Sequence, residues 1–198
     1  MGFKGDPVRL LVIPGLNDSG PAHWQTWLQG QYGRRAVRVE QDDWQRPDLL
    51  RWSQRIETTV ARHPGARWVA VAHSFGCLAL LRFLLAQQGE GVQAALLVAP
   101  ADPEKFDVAA KLPQSLLSIP TTLLASETDP WMPFDSACAW AHVWGARLIS
   151  LGDAGHINVD SGYGQLLPAK AWVEQAIQHL ERGRRIDRAH PLELSFAI

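Results

Sequence analysis

Ser74 is the residue of this sequence best placed to act as a nucleophile. It lies at the centre of Ala72-His73-Ser74-Phe75-Gly76, between an apolar run (67–72) and an apolar segment of helical character (76–88). Small residues two positions before and after the serine allow a sharp turn from strand to helix, which exposes the hydroxyl. The same turn places backbone N–H groups at a helix N-terminus, where they can stabilise a developing oxyanion. The alternative interpretation is a serine that only caps the helix.

A nucleophilic serine needs a base, and His156 is the strongest candidate among the seven histidines. It lies in the glycine-containing segment 151–158, directly after a strand-like run at 147–151. A loop after the last strand is where enzymes with such a serine supply their base. The other six histidines lie on predicted helices, in a polar turn, near the C-terminus, or close to Ser74 and the loop after the first strand. Among them, His23 is a secondary candidate for contact with a substrate.

Three carboxylates compete to orient the imidazole of His156. Asp129 follows the strand-like run 121–126 by a short turn and precedes a proline, and Glu127 is its neighbour. Asp102 follows the preceding strand-like run, which is another place where an acid can be supplied. We expect Asp129 to be the acid because of its position in the turn after the fifth strand. Each aspartate could instead stabilise a turn, which is a common role for this residue.

The segments that carry these residues alternate between two types. Continuous aliphatic runs predict strands that are covered on both faces. The predicted strands are 8–14, 36–40, 67–72, 94–99, 121–126 and 147–151, and the predicted helices are 21–31, 47–62, 76–88, 133–144 and 166–182. This alternation predicts an α/β fold with a mostly parallel six-stranded sheet and helices on both faces. The more polar second run is expected near an edge.

The order of the three residues along the chain is more informative than any one of them. Ser74, Asp129 and His156 follow three different predicted strands, in the order of the α/β-hydrolase fold. Ligands of parallel sheets bind beyond the carboxyl ends of the strands, where these residues would meet. The pattern therefore predicts that Ser74 attacks an acyl carbonyl, His156 takes its proton, and Asp129 fixes the imidazole tautomer.

The loop after the first predicted strand should complete an oxyanion hole. We expect the backbone N–H of Leu16, or alternatively of Asn17, to act together with the N–H of Phe75. The alternative is an ordinary connection in which Asn17, Asp18 or Ser19 caps the next helix.

Side chains at the same end of the sheet predict the walls of a small acyl pocket. They are Asn17, His23, Trp24, Trp44, Trp131, Met132 and Phe134. Each aromatic side chain could instead pack in the core. Residues 100–120 occupy the place where many lipases and esterases insert a helical lid, and this segment has room for a connection and one helix only. The sequence therefore predicts no lid domain and an open site.

Five segments of the chain resemble the small serine hydrolases of the RBBP9/YdeN family within the α/β-hydrolase superfamily. They are PGLNDSGPAHWQTWL, DDWQRPDLLRW, VAHSFG, ASETDPWMP and LGDAGHINVDSGYG, and the resemblance extends over roughly residues 8–180. It implies a compact hydrolase fold, a triad at Ser74, Asp129 and His156, and activity on acyl substrates. One branch of the family is associated with protein binding, so a protein partner remains open.

Composition excludes several other classes of function. The net charge is −1, from 19 basic and 20 acidic residues, which gives no field to attract nucleic acid or an anionic membrane. No apolar stretch reaches the length of about 18 residues needed to span a bilayer. Cys77 and Cys138 are predicted to be reduced, which favours a cytoplasmic location, and no ligand-like spacing predicts a metal or cofactor.

The length predicts one domain over residues 1–198, with a tail at 183–198 whose order the sequence does not determine. The function that competes with hydrolysis of a small acyl substrate is a binding protein built on a hydrolase scaffold.

Overall fold

A six-stranded parallel sheet forms the centre of the computed structural model, which describes residues 8–87 and 91–188. The strands are β1 (Val8–Ile13), β2 (Ala36–Arg38), β3 (Arg67–Ser74), β4 (Val92–Pro100), β5 (Thr121–Ala125) and β6 (Arg147–Ser150). Their order across the sheet is β2-β1-β3-β4-β5-β6, and every neighbouring pair is parallel. The predicted sheet is therefore confirmed, and the polar strand β2 lies at an edge as expected.

Five helices cover the two faces of the sheet. They are α1 (Trp24–Tyr32), α2 (Leu49–Ala61), α3 (Phe75–Gln87), α4 (Phe134–Trp144) and α5 (Leu167–Arg188). Apolar residues of α2, α3 and α4 form one buried cluster, and those of α1 and α5 form the other. Alternate residues of β1 belong to opposite clusters, since Leu11 and Ile13 face the first and Leu10 and Val12 face the second. Both faces of the strand are buried, which explains its continuous apolar sequence.

Several predicted boundaries differ from the observed ones. Helix α1 begins at Trp24 rather than at residue 21, because the His23 side chain accepts a hydrogen bond from the N–H of Gln25 at 3.1 Å and caps the helix. Strand β2 ends at Arg38, two residues before the predicted end. Helix α5 continues to Arg188, so the first part of the predicted tail is helical. Residues 189–198 lie outside the described residues.

The connection between β4 and β5 is short, as predicted. The helix expected within residues 100–120 is reduced to a single 3-10 turn at Ala109–Lys111, and no lid domain is inserted. Within residues 8–87 and 91–188, none of the helices combines the length and apolarity needed to cross a membrane.

Candidate active site

Ser74 occupies a strained turn between β3 and α3. It is the last residue of β3, its φ is 54°, and α3 begins at the next residue. A positive φ is unfavourable for a residue with a Cβ and persists only where surrounding contacts hold it. The sharpness of the turn also requires glycine nearby. A Cβ on Gly76 would lie 2.3 Å from the carbonyl oxygen of Pro14, and one on Gly15 would lie 2.7 Å from the Cβ of Ser74.

The side chains of Ser74, His156 and Asp129 form a continuous line of hydrogen bonds. The Nε2 of His156 lies 2.9 Å from the Oγ of Ser74, and its Nδ1 lies 2.9 Å and 3.0 Å from the two carboxylate oxygens of Asp129. With the imidazole proton on Nδ1, the serine hydroxyl donates to Nε2 and Nδ1–H donates to the carboxylate. The Asp129 side chain is only 2% exposed and that of His156 is 11% exposed. The three groups that the sequence analysis singled out are therefore adjacent and largely shielded from water.

The two competing carboxylates have other partners. Asp102 accepts a hydrogen bond from the N–H of Glu104 at 3.0 Å, and so stabilises the turn after β4. Glu127 accepts a hydrogen bond from the hydroxyl of Ser150 at 2.8 Å. Asp129 alone among the three carboxylates is bonded to His156. Its Oδ1 also accepts a hydrogen bond from the N–H of Trp131 at 2.9 Å, which fixes the carboxylate within its own turn.

Hydroxyl groups that the sequence analysis did not single out hold the loops that carry Asp129 and His156. The Oγ of Ser126 accepts hydrogen bonds from the N–H groups of Thr128 and Ala154, at 3.2 Å and 3.0 Å, and donates to the carbonyl of Gly152. The Oγ of Ser161 accepts a hydrogen bond from the N–H of His156 at 3.1 Å. The bonds of Ser126 to Gly152 and Ala154 connect the end of β5 to the loop after β6, and the bond of Ser161 holds the backbone of His156 within that loop. Serine and threonine are too common in loops to be recognised from the sequence alone.

His73 also supports the position of His156. Its Nε2–H donates to the backbone carbonyl of His156 at 3.0 Å, and the two rings are 4.9 Å apart. Burial lowers the pKa of His73 well below its usual value, helped by the neighbouring His156 and His23 rings, so the imidazole is neutral. The residue before Ser74 therefore holds the loop that carries His156.

The loop after β1 has the irregular backbone expected of an oxyanion loop. Asn17 and Asp18 have φ values of 63° and 61°. The N–H of Asn17 donates to the carbonyl of Trp44 at 2.9 Å, which leaves Leu16 as the better candidate of the two predicted donors. The helix cap that the sequence analysis considered for Asn17, Asp18 or Ser19 is supplied by His23 instead.

A cleft of about 390 Å³ opens above Ser74 and His156. Its walls include three of the predicted pocket residues, Asn17, His23 and Trp131, together with Leu16, Asp18, Gly20, His73, Phe106, Asn158, Val159 and Asp160. Trp131 is 48% exposed and presents its ring at the edge of the cleft, 6.2 Å from that of His156. The cleft is lined by a mixture of apolar and polar groups and is open to solvent.

The prediction that Trp24 lines the pocket is wrong. Trp24 is completely buried, and its indole N–H donates to the backbone carbonyl of Ile157 at 2.9 Å. It lies on the face of α1 that packs against the sheet, together with Leu28 one turn later. Met132 is likewise buried in the core, and Trp44 and Phe134 pack against it.

His23 is a neutral group in the wall of the cleft. Its Nδ1 accepts the N–H of Gln25, which leaves Nε2 to carry the ring proton. Burial lowers the pKa of His23 to about 4, and the nearby positive charge of Arg38 acts in the same direction. The side chain can thus donate a hydrogen bond into the cleft. Among the described residues, no cluster of histidine, cysteine and carboxylate side chains has the geometry of a metal site.

Comparison with known proteins assigns the chain to a family. The model of the serine hydrolase family matches residues 10–175. A YdeN-like hydrolase from Pectobacterium atrosepticum is 34% identical, with a TM-score of 0.81 over 88% of this chain and 92% of that one. The ydeN gene product of B. subtilis is 22% identical, with a TM-score of 0.71 over 86% of this chain and 98% of that one.

More distant structures share the fold. Est1E from Butyrivibrio proteoclasticus, solved with ferulic acid bound, is 13% identical with a TM-score of 0.67, over 87% of this chain and 90% of that one. The search of curated proteins returned no match. The family model spans most of the chain, and a relative with one third of its residues identical has the same architecture over nearly its whole length. The chain therefore belongs to the serine hydrolase family, with the α/β-hydrolase fold of its YdeN-like members.

Proposed function

We propose that this serine hydrolase cleaves carboxylic esters or related small acyl compounds through an acyl-enzyme formed on Ser74. The observation that carries the proposal is the line of hydrogen bonds from Ser74 through His156 to Asp129 at the base of an open cleft. A serine hydroxyl is a weak nucleophile unless an adjacent base removes its proton during attack. His156 lies within hydrogen-bond distance of that proton, and Asp129 holds the imidazole in the tautomer that can accept it.

The reaction proceeds in two halves. In the first, the Oγ of Ser74 bonds to the substrate carbonyl carbon while its proton passes to Nε2 of His156. The tetrahedral intermediate then collapses, the bond to the leaving group breaks, and His156 returns the proton to that group. In the second half, water attacks the acyl carbon while His156 takes a proton from the water. The bond from that carbon to Oγ then breaks, His156 returns the proton to Oγ of Ser74, and the carboxylic acid leaves. The carboxylate of Asp129 stabilises the imidazolium formed in each half.

The negative charge on the substrate oxygen needs donors at the same end of the sheet. The N–H of Phe75 lies at the start of α3, where the helix dipole adds to its effect. The N–H of Leu16 is the second proposed donor, because the Leu16 residue borders the cleft while the N–H of its neighbour Asn17 is already bonded to Trp44. Two preorganised donors of this kind contribute about 10²–10³-fold each to such reactions.

The cleft favours a small acyl group. Its volume is about 390 Å³, it is open, and the connection between β4 and β5 contains no lid. Trp131 and Phe106 offer apolar surface, and Asn17 and His23 offer polar contacts, so the walls suit a short acyl chain with an aromatic or alkyl leaving group.

The experiment that tests this proposal is covalent labelling with a fluorophosphonate probe, paired with turnover of p-nitrophenyl acetate. We expect the wild-type protein to be labelled on Ser74, and Ser74→Ala to lose both labelling and turnover. Ser118→Ala is a matched control, because Ser118 is exposed in the connection between β4 and β5 and lies outside the cleft. Turnover that persists in Ser74→Ala would refute the assignment of the nucleophile. A wild-type protein that neither labels nor turns over substrate would favour a binding function on this scaffold.

A further inference from the structure

Arg38 lies outside the cleft but contacts the loop that borders it. It is the last residue of the edge strand β2, and only 11% of its side chain is exposed. Its guanidinium forms an ion pair with the carboxylate of Asp18 and donates twice to the backbone carbonyl of Ser19, at 3.1 Å and 3.2 Å. Two further bonds reach Thr26 and Gln29 on α1, at 2.6 Å and 3.0 Å. Donors of all three guanidinium nitrogens are thus engaged, and a single side chain ties the loop to α1.

The backbone that Arg38 holds is strained. Asn17 and Asp18 are consecutive non-glycine residues with φ near +60°, in the region that favours glycine. Local backbone bonds contribute to this turn, since the N–H of Asp18 donates to the carbonyl of Gly15 at 3.2 Å. Such a conformation persists only where surrounding contacts stabilise it relative to other backbone angles. Arg38 supplies such contacts at Asp18 and Ser19, together with the Thr26 hydroxyl, which donates to the carbonyl of Ser19 at 2.6 Å.

We propose that Arg38 is a positioning residue of the active site, which holds the loop after β1 so that the N–H of Leu16 is directed at the oxyanion. This inference rests on the proposed function. Asp18 and Ser19, which Arg38 binds, are two and three residues from Leu16 along the same tight turn. If Arg38 is removed, Asn17 and Asp18 can relax to ordinary backbone angles, and the N–H of Leu16 moves with them. Errors of about 1 Å in such groups cost up to 10²-fold in rate.

The same contacts could serve stability alone, and the two roles predict different kinetics. An oxyanion donor acts on the transition state more than on the bound substrate, so its misplacement lowers kcat and leaves KM nearly unchanged. Loss of stability alone lowers the amount of folded protein and leaves kcat per folded molecule unchanged. The two roles are therefore separated by kinetics measured per active site.

The test compares Arg38→Ala with Arg55→Ala in p-nitrophenyl acetate hydrolysis, with active sites counted by fluorophosphonate labelling. Arg55 is a matched control, because it ties the chain after β2 to α2 through the carbonyl of Glu40 and the carboxylate of Asp42, but does not touch the loop after β1. We expect Arg38→Ala to lower kcat by about 10–100-fold with KM changed less than about threefold. Arg55→Ala should keep the wild-type kcat.

Added guanidinium ion provides a second measurement. If Arg38 only stabilised the fold, guanidinium would not change kcat per active site. The Arg38 side chain borders an open surface cleft shared with Asp18, Ser19, Thr26 and Gln29, so a free guanidinium can enter the space left by Arg38→Ala. At concentrations far below those that unfold proteins, we expect it to raise the kcat of Arg38→Ala and to leave wild type unchanged. If Arg38→Ala does not fold, Asp18→Asn removes the ion pair alone and should lower kcat by about tenfold.

Several results would overturn the inference. They are a wild-type kcat in folded Arg38→Ala, a kcat lowered equally in Arg55→Ala, and no recovery with guanidinium. An unchanged kcat in Asp18→Asn would do the same if that variant has to replace Arg38→Ala. A wild-type protein that neither labels nor hydrolyses refutes the proposed function and this inference with it, whereas an active wild type with an unaffected Arg38→Ala refutes the inference alone.

Discussion

Replacing Gly76 by alanine should damage both the stability and the catalytic geometry of the protein. Gly76 is the second residue of α3, directly behind the turn that carries Ser74. An added Cβ would lie 2.3 Å from the carbonyl oxygen of Pro14 and 2.7 Å from that of Ile13. Real Cβ atoms essentially never approach another heavy atom within 3.0 Å, and both of these neighbours are backbone atoms at the end of β1. Neither can move aside by a simple side-chain rotation.

The size of the effect follows from the displacement that the methyl group requires. The turn at Ser74 and the loop after β1 must separate by about 1 Å to restore an ordinary carbon–oxygen contact. These two segments carry the two proposed oxyanion donors, and a misplacement of that size lowers rates by about 10²-fold. Forcing a methyl group into a well-packed site also costs about 1–3 kcal/mol of unfolding free energy. We therefore expect Gly76→Ala to lower kcat about 100-fold and to lower the free energy of unfolding by about 1–3 kcal/mol.

Urea unfolding and steady-state hydrolysis of p-nitrophenyl acetate would measure both quantities. Gly30→Ala is the matched control, because Gly30 lies within helix α1 and a Cβ there would meet no atom within 4 Å. The same chemical change at Gly30 should stabilise the protein by about 0.5–1 kcal/mol through helix propensity, with no effect on kcat. If Gly76→Ala kept wild-type stability and kcat, the close packing of α3 on the end of β1 would be refuted.

Three further outcomes are expected. Asp129→Asn should lower kcat by about two to four orders of magnitude, because it favours the wrong imidazole tautomer. Asp102→Asn should lower kcat far less, and the opposite result in steady-state kinetics would assign the acid to the loop after β4. Burial lowers the pKa of His23 from 6.5 to about 4. Between these two pH values the unfolded chain binds a proton at His23 that the native state does not bind, so the free energy of unfolding falls as the pH drops from 6.5 towards 4. His23→Asn, which keeps a helix cap, should reduce the loss between pH 7.5 and pH 5 by about 2 kcal/mol in urea unfolding, and equal losses in both proteins would contradict this. With p-nitrophenyl esters, kcat/KM should peak between acetate and butyrate, because in an open cleft the acyl chain soon reaches solvent and each further methylene no longer gains about 0.8 kcal/mol of burial. Without a lid, the protein should also show no interfacial activation. A kcat/KM that rises steadily to dodecanoate would contradict this prediction.

The residues of the hydrogen-bonded line could be predicted because each belongs to a short local pattern. Ser74 lies between two small residues at a strand end, and Asp129 and His156 follow the last two strands in short turns. The sheet could be predicted for a similar reason, since continuous apolar runs are typical of strands buried on both faces. These signals depend on neighbours within a few positions in the sequence.

Contacts between distant segments left no such signal. Arg38 is separated from Asp18 by 20 positions, and His73 from the carbonyl of His156 by 83. Nothing near either residue in the sequence predicts its partner. The prediction for Trp24 was wrong for a related reason. It used only the position of Trp24 near a loop and not the contacts of the helix that follows. The spacing of four from Trp24 to Leu28 places both on the buried face of α1.

The parallel sheet also determines when the site can form during folding. Parallel neighbours cannot be joined by a tight turn, so each pairing closes a long stretch of chain and the contacts are non-local. Ser74 is the last residue of the central strand β3, whereas His156 follows β6 at the opposite edge from β2. His156 can therefore reach Ser74 only when β6 is paired with β5, and local opening at that edge would move His156 away while the turn at Ser74 stays intact. Recovered hydrolysis after refolding would thus report that β6 has paired with β5, and helical signal can return before it.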